Sequence, residues 1–159
     1  MKAKRYSLLD EPKPSILSGL AVDPTWPFLA MMFAGPWLGL PWFIANSLAL
    51  GSPTRAREVG LVVGMLAGCG ALLVLLDYAT RVGWLDQHGL RYASLAPVAL
   101  RLSCAYAIYL LQQRVCELFQ FFGGRVSNGF AFLLLVSLIA TPVVSKALAQ
   151  SSLIGALLL

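Results

Sequence analysis

The chain has 159 residues, of which 58% are hydrophobic and 12% are charged, and its formal net charge is +5. Soluble domains contain about 25% charged residues, so a chain with half that share cannot cover a water-exposed surface with polar groups. These values argue strongly against a soluble domain and predict a single all-α integral membrane domain. The lipid bilayer is the first expected partner, and no nucleic-acid partner is expected.

The N-terminal residues 1–25 are the most polar part of the chain. Their basic residues attract the chain to anionic lipid at up to about 1 kcal/mol each, and the apolar stretch of a secretory signal does not follow them. We predict a cytoplasmic basic tail over 1–25 and a transmembrane helical domain over 26–159. The basic residues of the tail are Lys2, Lys4, Arg5 and Lys13.

Uncharged stretches of the sequence predict a bundle of about four transmembrane helices. A charge at the bilayer centre costs about 2.5 to 3.5 kcal/mol, so spans should lie between charged residues. The third span is interrupted by Arg101, and a three-span chain therefore remains an alternative. The predicted spans are 26–50, 59–76, 93–111 and 129–145, followed by an apolar C-terminal segment.

The distribution of Lys and Arg predicts the orientation. Four spans place more basic residues on the side of the N-terminus than on the other side, and the positive-inside rule then puts both termini in the cytoplasm. Three spans would place the C-terminus outside. The first side holds Lys2, Lys4, Arg5, Lys13, Arg81, Arg91 and Lys146, and the second holds Arg55, Arg57, Arg114 and Arg125.

Prolines predict a kink in the first span, with the helix break between Pro36 and Pro41. An interior proline removes a backbone donor and clashes with the preceding turn, and in lipid the freed groups must find partners. Two interpretations stay open. The span is either a kinked packing helix or a broken helix that lines a solute site, as in transporters.

Small residues recur at every fourth position of the second span, at Gly60, Gly64 and Gly68. This spacing lets another helix backbone approach closely. The pattern predicts a helix-packing face without indicating whether the other helix belongs to this chain, to a second copy or to another protein.

Arg101 is the one charge well inside a predicted span, and intramembrane ionisable residues are functional-site candidates. Asp77 ends the second span on the same side. We therefore predict either a structural ion pair between Arg101 and Asp77 or a polar pathway that contains both.

The sequence offers little catalytic chemistry. His88 is the only histidine, the three cysteines Cys69, Cys104 and Cys116 stand apart, and no acidic pair lies inside a span. We expect no enzyme, no cofactor and no metal site.

These patterns predict a non-enzymatic oligomeric or accessory packing subunit of a membrane complex. Its partners would be further copies of itself or other membrane subunits. The alternative is a small multi-copy transporter or channel, with Arg101, Asp77 and the broken first span lining a pathway.

Overall fold

A computed structural model describes residues 18–149 and confirms the all-α class: 80% of these residues are helical and they contain no strand. Residues 1–17, most of the predicted tail, and 150–159, most of the apolar C-terminal segment, lie outside the described residues. After a 3-10 turn at Ser18–Leu20, the helices are α1 (Thr25–Phe33), α2 (Pro36–Ala49), α3 (Arg55–Arg81), α4 (Gln87–Ala93), α5 (Leu95–Phe121) and α6 (Phe130–Ala149).

The stretch expected to be one kinked helix forms two helices, α1 and α2, that fold back on each other. Gly35 lies between them with φ of 95°, a left-handed conformation that glycine adopts without steric cost. Pro36 takes the first position of α2, where a missing N–H costs no helical hydrogen bond. A Cβ on Gly39 would lie 2.8 Å from the Cα of Met31. The two helices are thus a tight hairpin.

Both ends of this hairpin lie together. The backbone N–H of Val22 donates to Oδ1 of Asn46 at 2.9 Å, and Ala21 packs in one apolar cluster with Ala49 and Leu50. With 9 residues in α1 and 14 in α2, the helices extend about 14 and 21 Å. Both are shorter than a hydrocarbon core of about 30 Å.

The long helices α3 and α5 form an antiparallel pair. Nε2 of Gln112 on α5 donates to Oε2 of Glu58 on α3 at 2.8 Å, and Leu100 lies against Gly68 further along both helices. We call the end of the bundle that contains Glu58 and Gln112 the Glu58 end. The opposite end, where α3 finishes and α4 lies, contains Asp77 and is called the Asp77 end.

The hairpin fills the space beside α3 and α5 with apolar side chains. Met31, Leu40 and Phe43 are buried against Met65 and Ile108 in the main core cluster. This core occupies the part of the bundle that lies toward the Glu58 end.

Helix α6 starts at the Glu58 end and follows α1. The ring of Phe130 lies 5.7 Å from that of Trp26 at the start of α1, and Leu133 packs with Ala30 and Ala34 further along. Helix α6 therefore runs away from the Glu58 end.

Two helical segments are long and apolar enough to cross a membrane, Arg55–Arg81 and the α4–α5 segment Gln87–Phe121. Only 17% and 11% of their most apolar 18-residue windows are buried. Core helices of soluble proteins bury most of their apolar residues, whereas these helices direct theirs outward.

Candidate functional site

A buried polar network lies at the Glu58 end, where the hairpin meets α3 and α5. Asn46 comes from α2, Ser52 from the turn after it, Glu58 from α3 and Gln112 from α5. All four residues are at most 4% exposed. Buried polar groups need hydrogen-bond partners, and here the partners come from elements distant in sequence.

Gln112 is the centre of this network. Its Nε2 donates to Oε2 of Glu58 at 2.8 Å and to the backbone carbonyl of Phe43 at 2.7 Å. Its Oε1 accepts from Nδ2 of Asn46 at 3.1 Å. One side chain on α5 therefore ties together both α2 and α3.

The carboxyl group of Glu58 is held by neutral donors. Its Oε1 accepts from the hydroxyl of Ser52 at 2.6 Å and from that of Thr54 at 2.7 Å. No Lys or Arg among residues 18–149 forms an ion pair with it. Three hydrogen bonds thus compensate the loss of water around this group, and the arrangement serves as a structural connection between the helices.

The predicted helix-packing face of Gly60, Gly64 and Gly68, which we call the glycine face, is covered along only part of its length. At Gly60 and Gly64 an added Cβ would meet nothing within 4 Å, whereas at Gly68 it would lie 2.8 Å from Cδ2 of Leu100. Helix α5 therefore covers the Gly68 end of the face. The part that contains Gly60 and Gly64 is open in this chain.

Asp77 and Arg101 do not contact each other in the structure. Asp77 instead pairs with Arg81 at 2.9 Å on the exposed surface of α3, because a residue four positions ahead on the same helix is its nearest cation. The Arg101 side chain forms no hydrogen bond or ion pair with the described residues, and its Nε is buried without a partner.

The two prolines of the predicted break have different effects. Pro36 begins α2, while Pro41 lies inside α2 without ending it. Both line an apolar groove of about 580 Å³ between α2 and α3, together with Val62 and Leu66. Neither Arg101 nor Asp77 lines this groove, so the residues of the proposed pathway lie apart.

The sequence pattern does not predict the network at Asn46 and Gln112, and it marks Glu58 only as the charged residue that precedes the second predicted span, 59–76. A signal was present, because Asn46 is an amide inside a long uncharged stretch. Such residues in apolar helices commonly hydrogen-bond across to another helix.

Residues 18–149 contain no group of three or more His, Cys, Asp or Glu side chains placed to hold a metal ion. Comparisons with protein-family models, curated proteins and solved structures found no match to this chain.

Proposed function

We propose that the protein is a non-enzymatic integral membrane protein that acts as an oligomeric or accessory packing subunit of a membrane complex. The observation that carries this proposal is the open part of the glycine face. Gly60 and Gly64 leave space beside Val59 and Val63, which are 39% and 59% exposed. A second helix can approach α3 closely there, with its side chains packed between the two valines.

The proposed membrane topology has three crossing segments, α3, α4–α5 and α6, and one re-entrant hairpin. Irregular backbone at membrane depth is tolerated where protein buries it. The turn between α1 and α2 meets this condition, because Ala34, Gly35 and Pro36 are all buried. The proposed three crossing segments differ from the three-span alternative of the sequence analysis. The doubtful third span, 93–111, lies within the candidate segment Gln87–Phe121, and it is the predicted first span, 26–50, that would enter and leave on one side.

This topology increases the difference between the numbers of Lys and Arg residues on the two sides of the membrane. The Glu58 end carries four Arg residues, and the four basic residues of 1–17 precede the chain where it enters at that end. The positive-inside rule then places the Glu58 end in the cytoplasm and the C-terminus on the other side. The residues at the Glu58 end are Arg55, Arg57, Arg114 and Arg125, and those toward the other side are Arg81, Arg91 and Lys146.

Tags at the two termini test the topology. We expect an N-terminal tag to be protected from a membrane-impermeant reagent in intact cells and a C-terminal tag to react. Permeabilised cells, in which both tags should react, are the control. Two termini on the same side would contradict the re-entrant hairpin.

Native mass spectrometry of the tagged chain from its host membrane tests the subunit role. In the variant Gly60→Leu/Gly64→Leu, we expect the assembled fraction to fall by about tenfold, equivalent to roughly 1.4 kcal/mol. Gly70→Leu is the matched control, because Gly70 lies on the same helix in equally open space. A wild-type chain that is monomeric and carries no other subunit would contradict the proposal.

The multi-copy transporter or channel is the weaker alternative. It needs Arg101, Asp77 and the Pro36–Pro41 break to line one pathway. These residues face separate regions within a single chain, so only an arrangement of several copies would bring them together.

A further inference from the structure

Arg101 lies at the middle depth of the bundle. It follows Leu100, which packs against Gly68 on α3. Gly68 is ten residues beyond Glu58 and nine before Asp77, or about 15 and 14 Å along the helix axis. In a hydrocarbon core of about 30 Å, the backbone of Arg101 is therefore near the bilayer centre. Arg101 is only six residues from the start of α5, but its depth beside α3 places it further from water than this short distance indicates.

Residues 18–149 supply no acidic partner at this depth. The described acidic residues all lie toward one end or the other, Asp23, Glu58 and Glu117 at the Glu58 end and Asp77 and Asp86 at the Asp77 end. Asp77 is already paired with Arg81. The guanidinium group of Arg101 therefore has its charge uncompensated, and its Nε has no hydrogen-bond acceptor in the described chain.

The surface beside Arg101 is uncovered. The hairpin packs against α3 and α5 from Cys69 and Ala105 toward the Glu58 end. In the other direction, Val98 lies one turn before Arg101 on α5 and is 38% exposed, and Leu95, a further turn away, is 59% exposed. A transmembrane helix can pack on this apolar surface with one of its side chains beside Arg101.

We propose that Arg101 forms an intramembrane ion pair with an Asp or Glu at the centre of a transmembrane helix from a different protein. Arg is suited to such a pair, because its guanidinium group can donate two parallel hydrogen bonds to one carboxylate. The described acidic residues of a second copy in the same orientation lie at the same end positions, so none of them would meet Arg101 at this depth. The proposal rests on the proposed function and narrows it to an accessory subunit of a hetero-oligomer.

The test uses designed transmembrane helices co-expressed with the unchanged full chain. One is a 20-residue Leu/Ala helix with Asp at position 10. The matched helices carry Leu at position 10 or move the Asp to position 3. Each helix has a photo-crosslinking group next to position 10, and the yield of crosslinked product is measured. We expect at least a tenfold higher yield for the central Asp than for either matched helix.

Variants of the protein complete the test. Arg101→Leu should reduce the yield with the central Asp helix to that of the Leu helix, Arg101→Lys should retain part of it, and Arg91→Leu should leave it unchanged. Equal yields for all three helices with the wild-type chain would overturn the proposal, and this comparison needs no variant to fold. Loss of a co-purifying phospholipid in Arg101→Leu, without helix selectivity, would also overturn it in favour of a lipid phosphate.

Failure of this inference can be distinguished from failure of the proposed function. If foreign subunits co-purify equally with wild-type and Arg101→Leu chains, the packing role stands and the ion pair is wrong. If the wild-type chain is a homo-oligomer without other subunits and selects no designed helix, only the ion pair is wrong; if it is monomeric, carries no other subunit and selects no designed helix, both proposals fail.

Discussion

The two halves of α3 lie in different surroundings. From Glu58 to Cys69, one residue in each turn is buried, at Glu58, Val62, Met65 and Cys69, whereas only Ala79 is buried in the second half. Helix α5 shows the same division in the opposite direction along the sequence, because its buried residues begin only at Ala105. The short helix α4 before it has no buried residue. The hairpin causes the difference, because it packs on the first half only.

The two halves also differ in whether their polar side chains have partners within the chain. In the half toward the Glu58 end, Glu58, Gln112 and Asn46 find partners within the chain. In the other half, Arg101 has no hydrogen-bond or ion-pair partner among the described residues, and Asp77 pairs only with Arg81 on the exposed surface. One half of the bundle is thus stabilised internally, while the other half leaves much of its polar and apolar surface exposed.

The largest expected effect is that of Gln112→Leu. The substitution leaves the Asn46 amide and one oxygen of Glu58 without their partner, and the Phe43 carbonyl keeps only its hydrogen bond within α2. We expect the free energy of unfolding in detergent to fall by roughly 3 kcal/mol, since each buried unsatisfied group costs about 1 to 3 kcal/mol. Gln113→Leu is the control, because Gln113 bonds only to Glu117 at 3.4 Å on the exposed side. Equal losses in the two variants would contradict the central role of Gln112.

A smaller effect is expected for Gly39→Ala in the hairpin. The new Cβ would be 2.8 Å from the backbone of Met31, so α1 and α2 must separate, at a cost of about 1 to 3 kcal/mol. Gly70→Ala is the control, because its surroundings are open and alanine is the better helix former. A thermal-unfolding series in the same detergent measures both. Destabilisation by Gly70→Ala equal to that by Gly39→Ala would refute the close helix approach.

The smallest effect is expected at the Asp77 end. Asp77→Ala should lower stability by no more than about 0.5 kcal/mol, because exposed pairs four residues apart on a helix contribute little. In a double-mutant cycle with Arg101→Ala, the coupling energy should be close to zero. A coupling of about 1 kcal/mol or more would restore the ion pair that the sequence predicted between Asp77 and Arg101.

The sequence was sufficient for the helical class and for the approximate position of each apolar segment. The second predicted span, 59–76, lies within α3, and the fourth, 129–145, largely coincides with α6. The length of an uncharged stretch predicts such segments well, because charged residues are costly in the centre of a bilayer.

The path of the chain through residues 26–50 could not be predicted in this way. Pro36 and Pro41 have equal weight in a sequence pattern, yet the chain reverses only at Gly35–Pro36. The reversal depends on a close contact between Gly39 and Met31, and the partners of Asn46 and Glu58 depend on how α3 and α5 pair. These are tertiary contacts, to which hydropathy and spacing are insensitive.

The hydrogen bond between Asn46 and Gln112 has a consequence for biosynthesis. The two residues are 66 positions apart, so at about 5 to 20 residues per second Gln112 is synthesised roughly 3 to 13 seconds after Asn46. During that interval the amide of Asn46 and the carbonyl of Phe43 lack the partner that they have in the finished structure. The hairpin can therefore reach its final hydrogen-bonded arrangement only after α5 has been made.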